Sequence, residues 1–178
     1  MDNNTLSSIS GDSNNLTDYA WQGHDFIYNT DVICYRAVNY QGFSWTPLTE
    51  FAYYYTPYRP TIMGHLDNGG GATILFSDNS NNIHHVENNG SSWDAGWGTP
   101  TLVVASNGNY PILLEKADSL HEAYLWTDIS GAPYSIHYNF RGSGAMGKIA
   151  DVNSTDVIHY HRCIDIQDNA GKSFHIKK

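Results

Sequence analysis

The stretch Asp31-Val32-Ile33-Cys34-Tyr35 decides the fold, because its apolar–aromatic pattern returns three more times along the chain. The later copies are Asn82-Ile83-His84-His85, Ser135-Ile136-His137-Tyr138 and Asp156-Val157-Ile158-His159-Tyr160. Each copy comes after a polar, turn-forming segment, which is typical of the returning strand of a β-hairpin. Repetition of this kind is the signature of stacked supersecondary units. The sequence therefore predicts an all-β protein of repeated antiparallel hairpins.

Four hairpins follow from this pattern. Their predicted strands are residues 25–28 with 31–38, 72–76 with 83–87, 122–126 with 134–140, and 148–152 with 156–164. The abundance of Tyr, Trp, Asn and Gly, with little Lys and Glu, favours strands and tight turns over helices.

The spacing of the repeated isoleucines predicts the architecture. Ile33 and Ile83 are 50 residues apart, Ile83 and Ile136 are 53 apart, and Ile158 follows after only 22. A four-stranded propeller blade takes about 40–50 residues. We therefore expect a small or incomplete β-propeller-like arrangement. It closes a small ring on itself, is completed by a partner copy, or is a fragment of a longer protein.

Length and charge bound the organisation and the partners. The 178 residues suit one all-β domain over residues 19–178, preceded by a polar N-terminal arm over residues 1–18. The net charge of −9, without any Lys/Arg cluster, argues against nucleic acid as a partner. We also expect no membrane insertion, no signal peptide and no transmembrane segment, which leaves the localisation open.

Three glycine-containing segments carry a resemblance to a known family. They are Ser92-Trp93-Asp94-Ala95-Gly96, Asn39-Tyr40-Gln41-Gly42-Phe43-Ser44-Trp45 and Asn169-Ala170-Gly171-Lys172-Ser173-Phe174. Each resembles the Asp-box, or BNR, repeat of sialidase-like β-propellers, in a degenerate form. In that repeat the terminal aromatic packs between blades, so the resemblance implies interior positions for Trp45, Trp97 and Phe174.

The resemblance also implies a choice between a hydrolase and a binding module. Sialidase-like enzymes hold a substrate carboxylate with three Arg and use a Tyr–Glu pair together with an acidic Asp. This chain has only four Arg and four Glu, so such a set would consume nearly all its Arg. We therefore favour a non-enzymatic, lectin-like module that binds a glycan or another polar ligand without a cofactor. A sialidase-like glycoside hydrolase and a structural or self-assembling module remain as alternatives.

The predicted ligand site consists of Arg residues after the repeated isoleucines, with neighbouring aromatic and His side chains. These are Tyr35, Arg36, Arg59, His85, Tyr138, Arg141, Tyr160 and Arg162. Guanidinium groups bind carboxylates and hydroxyls in a fork, and aromatic rings cover the C–H face of a sugar. The alternative is that these Arg residues pair with acidic neighbours.

A metal site is a weaker hypothesis. His159, His161 and Cys163 alternate along a predicted strand and so share one face, as zinc ligands from a strand would. In the competing interpretation, the repeated His of each copy is a structural residue with a hydrogen bond. Cys34 and Cys163 are either half-buried thiols or a disulfide that joins the first and last repeats.

Overall fold

A computed structural model describes residues 7–11, 16–39, 44–52, 55, 57–64, 71–88, 97–114, 123–140, 146–151, 162–166 and 174–177. These residues form strands joined by turns and contain no helix, so the predicted all-β class is confirmed. A search of the same residues for a helix long and apolar enough to cross a membrane found none.

The strands fall into four antiparallel sheets. The first sheet contains β1 (Ser7–Gly11), β2 (Leu16–Asp25), β3 (Thr30–Asn39), β4 (Ser44–Trp45) and β5 (Thr49–Phe51). The second contains β6 (Tyr58–Gly64), β7 (Ala72–Ser77), β8 (Ile83–Asn88) and β9 (Thr101–Val104). The third contains β10 (Gly108–Leu114), β11 (Ala123–Asp128), β12 (Ser135–Phe140) and β13 (Met146–Asp151). The last pairs β14 (Arg162–Ile166) with β15 (Phe174–Lys177).

The second and third sheets are successive copies of one plan. Each is a four-stranded meander in chain order, and they begin 50 residues apart, at Tyr58 and Gly108. Neighbouring hairpin-linked strands are the simplest way to pair consecutive segments. The sheets are open and are not closed into a barrel, which is consistent with an incomplete propeller-like arrangement.

The two central hairpins were predicted correctly, as β7–β8 and β11–β12. The first exists, but its turn was misplaced: β2 ends at Asp25, and residues 26–29 form the turn. The aromatic content of Phe26-Ile27-Tyr28 favoured a strand there. The Asp25 carboxylate instead accepts hydrogen bonds from the backbone amides of Ile27 and Tyr28, and this bends the chain.

The last predicted hairpin, residues 148–152 with 156–164, stays a prediction, because residues 152–161 lie outside the described residues. The segment that contains residues 148–151 is β13, which pairs with β12, and β14 pairs with β15. Gly147 lies opposite Tyr138 in this ladder, and the Tyr138 ring occupies the space that a side chain at position 147 would need. Ile158 lies outside the described residues.

The N-terminal arm proposed for residues 1–18 contains strand. Ser7–Gly11 forms β1 and pairs along its whole length with β2, which begins at Leu16. Asp18 is 1% exposed. The boundary proposed after residue 18 therefore lies inside β2.

The hydrophobic core consists of two layers on either side of the second sheet. The layer facing the first sheet is formed by Ala20, Ile33, Tyr35, Ala37 and Ala52 against Ile62, Ala72, Ile74, Phe76 and Val86. The layer facing the third sheet is formed by Met63, Leu75 and Ile83 against Leu113, Tyr124 and Trp126. Consistent with this stacking, β6 contacts β1 and β2, while β10 contacts β6 and β7. The central strands β7 and β8 of the second sheet are therefore buried on both faces, whereas its edge strand β9 is partly exposed.

Candidate functional site

An aspartate caps the central hairpin of each of the three large sheets. The Asp25 carboxylate accepts two backbone hydrogen bonds in the first turn. In the second, Asp78 Oδ1 accepts the amides of Ser80 and Asn82, and in the third Asp128 Oδ1 accepts the amide of Ser130. Asp is favoured at such positions because its short side chain reaches the backbone two residues on. These turns fix one end of each sheet, which we call the turn end.

Two of the repeated histidines lie beside these aspartates inside their own hairpins. His84 Nε2 lies 2.8 Å from Asp78 Oδ2. His137 Nε2 lies 2.9 Å from Ser135 Oγ and 3.6 Å from Asp128 Oδ2. His84 also stacks on Phe76, with ring centroids 5.3 Å apart. This geometry favours the structural interpretation of the repeated His.

The metal hypothesis gains no support from the described residues. A search of them found no group of three or more His, Cys, Asp or Glu that could hold a metal ion. His159 and His161 lie outside the described residues. Cys163 belongs to β14, where the description covers the backbone.

Tyr35 is an interior residue of the first core layer. It is 3% exposed, its hydroxyl donates a 2.6 Å hydrogen bond to Asp18 Oδ1, and its ring meets Trp97 edge-on at 4.8 Å. Trp97 also stacks on Phe51 at 5.0 Å, so the interior position implied for Trp97 by the Asp-box resemblance fits the structure. Tyr35 thus packs between the first and second sheets.

Arg36 lies on the opposite face of β3, because successive side chains of a strand alternate. Its guanidinium carbon lies 5.3 Å from the centroid of the Trp45 ring, and the Tyr19 ring lies 5.4 Å from that of Trp45. Tyr19 is directly across from Arg36 in the β2–β3 ladder. We call Tyr19, Arg36 and Trp45 the aromatic–arginine platform.

The backbone of residue 46 holds the platform in place. The Thr46 amide donates a hydrogen bond to the Ala37 carbonyl, and the Thr46 hydroxyl accepts one from the Ala37 amide. The Thr46 carbonyl accepts a hydrogen bond from Arg36 Nε at 3.0 Å. Within the described part of the chain the terminal amino groups of Arg36 have no hydrogen-bond partner. The guanidinium is therefore oriented by the protein and still has donors for a ligand.

Trp45 differs from the position that the Asp-box resemblance implies. It is 51% exposed and lies at the edge of the first sheet, on β4, rather than between sheets. The part of the indole that Arg36 and Tyr19 do not cover therefore faces solvent.

The other predicted site residues do not gather at this platform. His85 faces the third sheet, where its ring lies 5.7 Å from that of Tyr124, and Tyr138 packs over Gly147 in the third sheet. Arg59 and Arg162 lie in β6 and β14, whose backbone is described at those positions. Arg141 and Tyr160 lie outside the described residues. Of the predicted residues with described side chains, Arg36 is the one on the platform.

Cys34 lies on the same face of the first sheet as Arg36, two residues earlier on β3, and Glu50 lies opposite it on β5. Cys34 is a buried free thiol whose Sγ lies 3.9 Å from Glu50 Oε1. Burial, together with the charge and the hydrogen bond of Glu50, raises the pKa of the thiol to about 12. Because Cys34 is a free thiol, a Cys34–Cys163 disulfide is not present, and the partly buried Glu50 adds an acceptor to the face that carries the platform.

Sequence reasoning found Arg36 and missed Tyr19 and Trp45. The signal for Tyr19 is its position six residues before Asp25, which places it opposite Arg36, six residues after Thr30, once the turn is located correctly. Trp45 has no comparable signal, because its place depends on Thr46 returning to Ala37. Comparison of the chain with protein-family models, curated proteins and solved structures found no match.

Proposed function

We propose that this protein is a non-enzymatic, lectin-like module that binds a polar glycan at the aromatic–arginine platform. The observation that supports the proposal is the half-exposed Trp45 ring beside an Arg36 guanidinium whose Nε is already bound to Thr46. A platform that is ordered before binding loses little side-chain entropy when the ligand arrives.

The chemistry of the platform suits a sugar. The exposed part of the indole can cover the apolar C–H face of a pyranose ring. The free amino groups of Arg36 can donate to ring hydroxyls or to a carboxylate on the sugar, and the Glu50 carboxylate can accept from hydroxyls. One aromatic plane with donors and an acceptor nearby is the pattern of a carbohydrate site.

A glycan array with the full chain tests the proposal, using Trp45→Ala and Arg36→Ala as the informative variants. We expect selective binding that free sugar competes away, and a loss of about tenfold or more in affinity for each variant. The melting temperature should change little, because both side chains are partly exposed.

Leu48→Ala is the matched control, since Leu48 is also half-exposed and close in sequence but is not part of the platform. It should bind like the wild type. An array without selective signal, or a Trp45→Ala protein that binds as well as the control, would contradict the proposal. A large loss of stability in Arg36→Ala would instead assign that residue to packing.

The sialidase-like alternative is separated by an activity measurement on the same protein. Incubation with a fluorogenic sialoside should release no fluorophore above the rate of a denatured sample. Steady release that increases with protein concentration would favour the hydrolase that the Asp-box resemblance implies.

A further inference from the structure

The turn between β2 and β3 is an exposed apolar tip. Phe26, Ile27 and Tyr28 are 85%, 87% and 70% exposed, and we call these three residues the tip. The buried Asp25 carboxylate holds their backbone by accepting the Ile27 and Tyr28 amides at 2.7 and 3.0 Å. The tip is therefore an ordered projection, and three adjacent large apolar side chains left in water indicate a contact surface.

The equivalent turns of the other two sheets are different. After Asp78 the chain reads Asn79-Ser80-Asn81, and after Asp128 it reads Ile129-Ser130-Gly131. The same carboxylate cap therefore works in the second sheet with three polar residues, and in the third sheet with a single apolar residue, Ile129. The apolar side chains of the tip are not needed to form the turn, so we look for their role outside the fold.

The tip shares its end of the molecule with the other turns. The turn of the second sheet joins the β9–β10 connection, where Gly108 N donates to Asn81 O, and Ile129 N of the third sheet donates to Asn107 O. The first sheet is aligned with them, because β5 runs toward the first turn and Tyr55, just beyond it, packs on Phe76 and His84 beside the second turn.

The turns at the turn end carry no charged residues between their capping aspartates and the next strand, in a protein of net charge −9. Residues 26–30, 79–82, 105–107 and 129–134, which form the described turns there, include no Asp, Glu, Lys or Arg. Of the carboxylates beside these turns, Asp25 and Asp78 are buried, whereas the side chains of Asp128 and Asp31 are 24% and 35% exposed and Asp31 is paired with His24. Two copies of an acidic protein repel each other, and a surface with few exposed charges is where that repulsion is least.

We propose that a second copy of this chain docks on the tip, in a two-fold arrangement that brings Phe26, Ile27 and Tyr28 of both copies together. A two-fold contact uses the same patch on both subunits, so the patch must be complementary to itself. An apolar patch meets this requirement because apolar side chains pack against one another without charge repulsion. Aromatic side chains bury about 150–250 Å² each, so two tips cover roughly 1,000 Å², the lower bound for a specific interface. The dimer is therefore reversible and dissociates on dilution.

This arrangement leaves both platforms accessible. Trp45 pairs with Val38. Val38 lies eight residues along β3 from Thr30, the residue that follows the tip's turn, so the platform is roughly 26 Å from the tip along an extended strand. If the platform binds glycans as proposed above, the dimer is bivalent and binds a surface bearing many glycans more tightly than a single one. The dimer itself does not depend on that function.

Sedimentation equilibrium of the full chain over about a hundredfold range of concentration tests the proposal. The informative variant is F26N/I27S/Y28N, which copies Asn79-Ser80-Asn81 and keeps the Asp25 cap. We expect the wild type to approach twice the monomer mass at high concentration and the variant to stay monomeric with an unchanged melting temperature. Added salt should strengthen the wild-type dimer, because it screens the repulsion between two negative chains.

The control is Leu102→Ser, which removes an exposed apolar residue of β9 away from the tip and should dimerise like the wild type. If the triple variant does not fold, Phe26→Ser alone should weaken the dimer at least severalfold. A wild type that is monomeric throughout, or a folded variant that still dimerises, overturns the proposal. A monomeric wild type that floats with phosphatidylcholine vesicles through its tip also overturns it and assigns the tip to lipid.

Discussion

The first and second sheets are built on the same Asp-capped hairpin and differ in what their surfaces face. In the second sheet every residue of β7 is buried, including Leu75 toward the third sheet and Phe76 toward the first. The large exposed apolar side chains concentrate instead in the first sheet and its connections: Phe26, Ile27, Tyr28, Trp45 and Leu48, with Leu102 of β9 as the further example.

The difference follows from what each sheet packs against. A sheet between two others needs apolar residues on both faces, and Ala72-Thr73-Ile74-Leu75-Phe76 supplies them as a nearly continuous run. The first sheet contributes Ile33, Tyr35 and Ala37 to the core from one face. On its other face Cys34 is buried and Arg36 is partly exposed, and its edge and turn carry the exposed Trp45 and Phe26-Ile27-Tyr28.

The largest expected effect comes from opening a cavity in the second sheet. Phe76→Ala should lower the free energy of unfolding by about 3–5 kcal/mol, because Phe76 is fully buried in the first core layer. Leu48→Ala on the first sheet should change it by less than about 0.5 kcal/mol. Urea denaturation followed by tryptophan fluorescence measures both. Equal losses would contradict the contrast between the two sheets.

A smaller effect is expected from adding a methyl group inside the first sheet. A Cβ at Gly23 would collide with Cys34 Sγ on the neighbouring strand, so Gly23→Ala should cost about 1–3 kcal/mol through overpacking. Gly131→Ala in the third sheet meets no atom and is the matched control. Cys34→Ala combined with Gly23→Ala should recover part of the loss. Failure of the double variant to recover any would place the strain elsewhere.

The acid cap of the second sheet predicts a pH dependence. Burial raises the pKa of Asp78, but hydrogen bonds from the Asn82 and His84 side chains and from the Asn82 and Ser80 amides outweigh it and hold the pKa below its usual value. A carboxyl with a lowered folded pKa stabilises the protein above its unfolded pKa, and this contribution is lost as the pH falls through the folded value.

Asp78→Asn should therefore cost about 1–2 kcal/mol at neutral pH and reduce the dependence of stability on pH below about pH 4. Asp128→Asn is the comparison, since Asp128 is only partly buried and lies 3.6 Å from His137 rather than within hydrogen-bond distance. Its effect should be smaller. Thermal unfolding across an acid series distinguishes the two, and identical pH profiles for Asp78→Asn and the wild type would contradict the cap's role.

Much of the fold follows from local sequence. The polar segments around Asn79–Asn82 and Thr127–Pro133 locate the two central hairpins because turn chemistry acts over a few residues. The first turn was misplaced because Phe26-Ile27-Tyr28 carries strand-forming residues, while the Asp25 carboxylate decides the bend.

The candidate site was harder to predict because it is assembled from three strands. Arg36 stood out as one of only four Arg residues, but Trp45 joins it only through the return of Thr46 to Ala37. Periodicity also grouped Tyr35 with Arg36, although adjacent residues of a strand point to opposite faces. A motif search alone does not separate them.

The last prediction concerns the reactivity of Cys34 rather than the stability of the protein, and it tests how open the outer face of the first sheet is. Its thiol is buried beside Glu50 with a pKa raised to about 12, whereas Trp45 on the same face is half-exposed. Because the thiolate is the reactive form, Cys34 in a Cys163→Ser protein should react with a disulfide reagent at pH 8 about a thousandfold more slowly than a free thiol. The same protein in denaturant should react at once.

Glu50→Gln should accelerate the native reaction only modestly, because burial is the largest cause of the raised pKa. Rapid native labelling would show that the face is open at Cys34 as well as at Trp45, and the platform would then belong to a larger exposed surface.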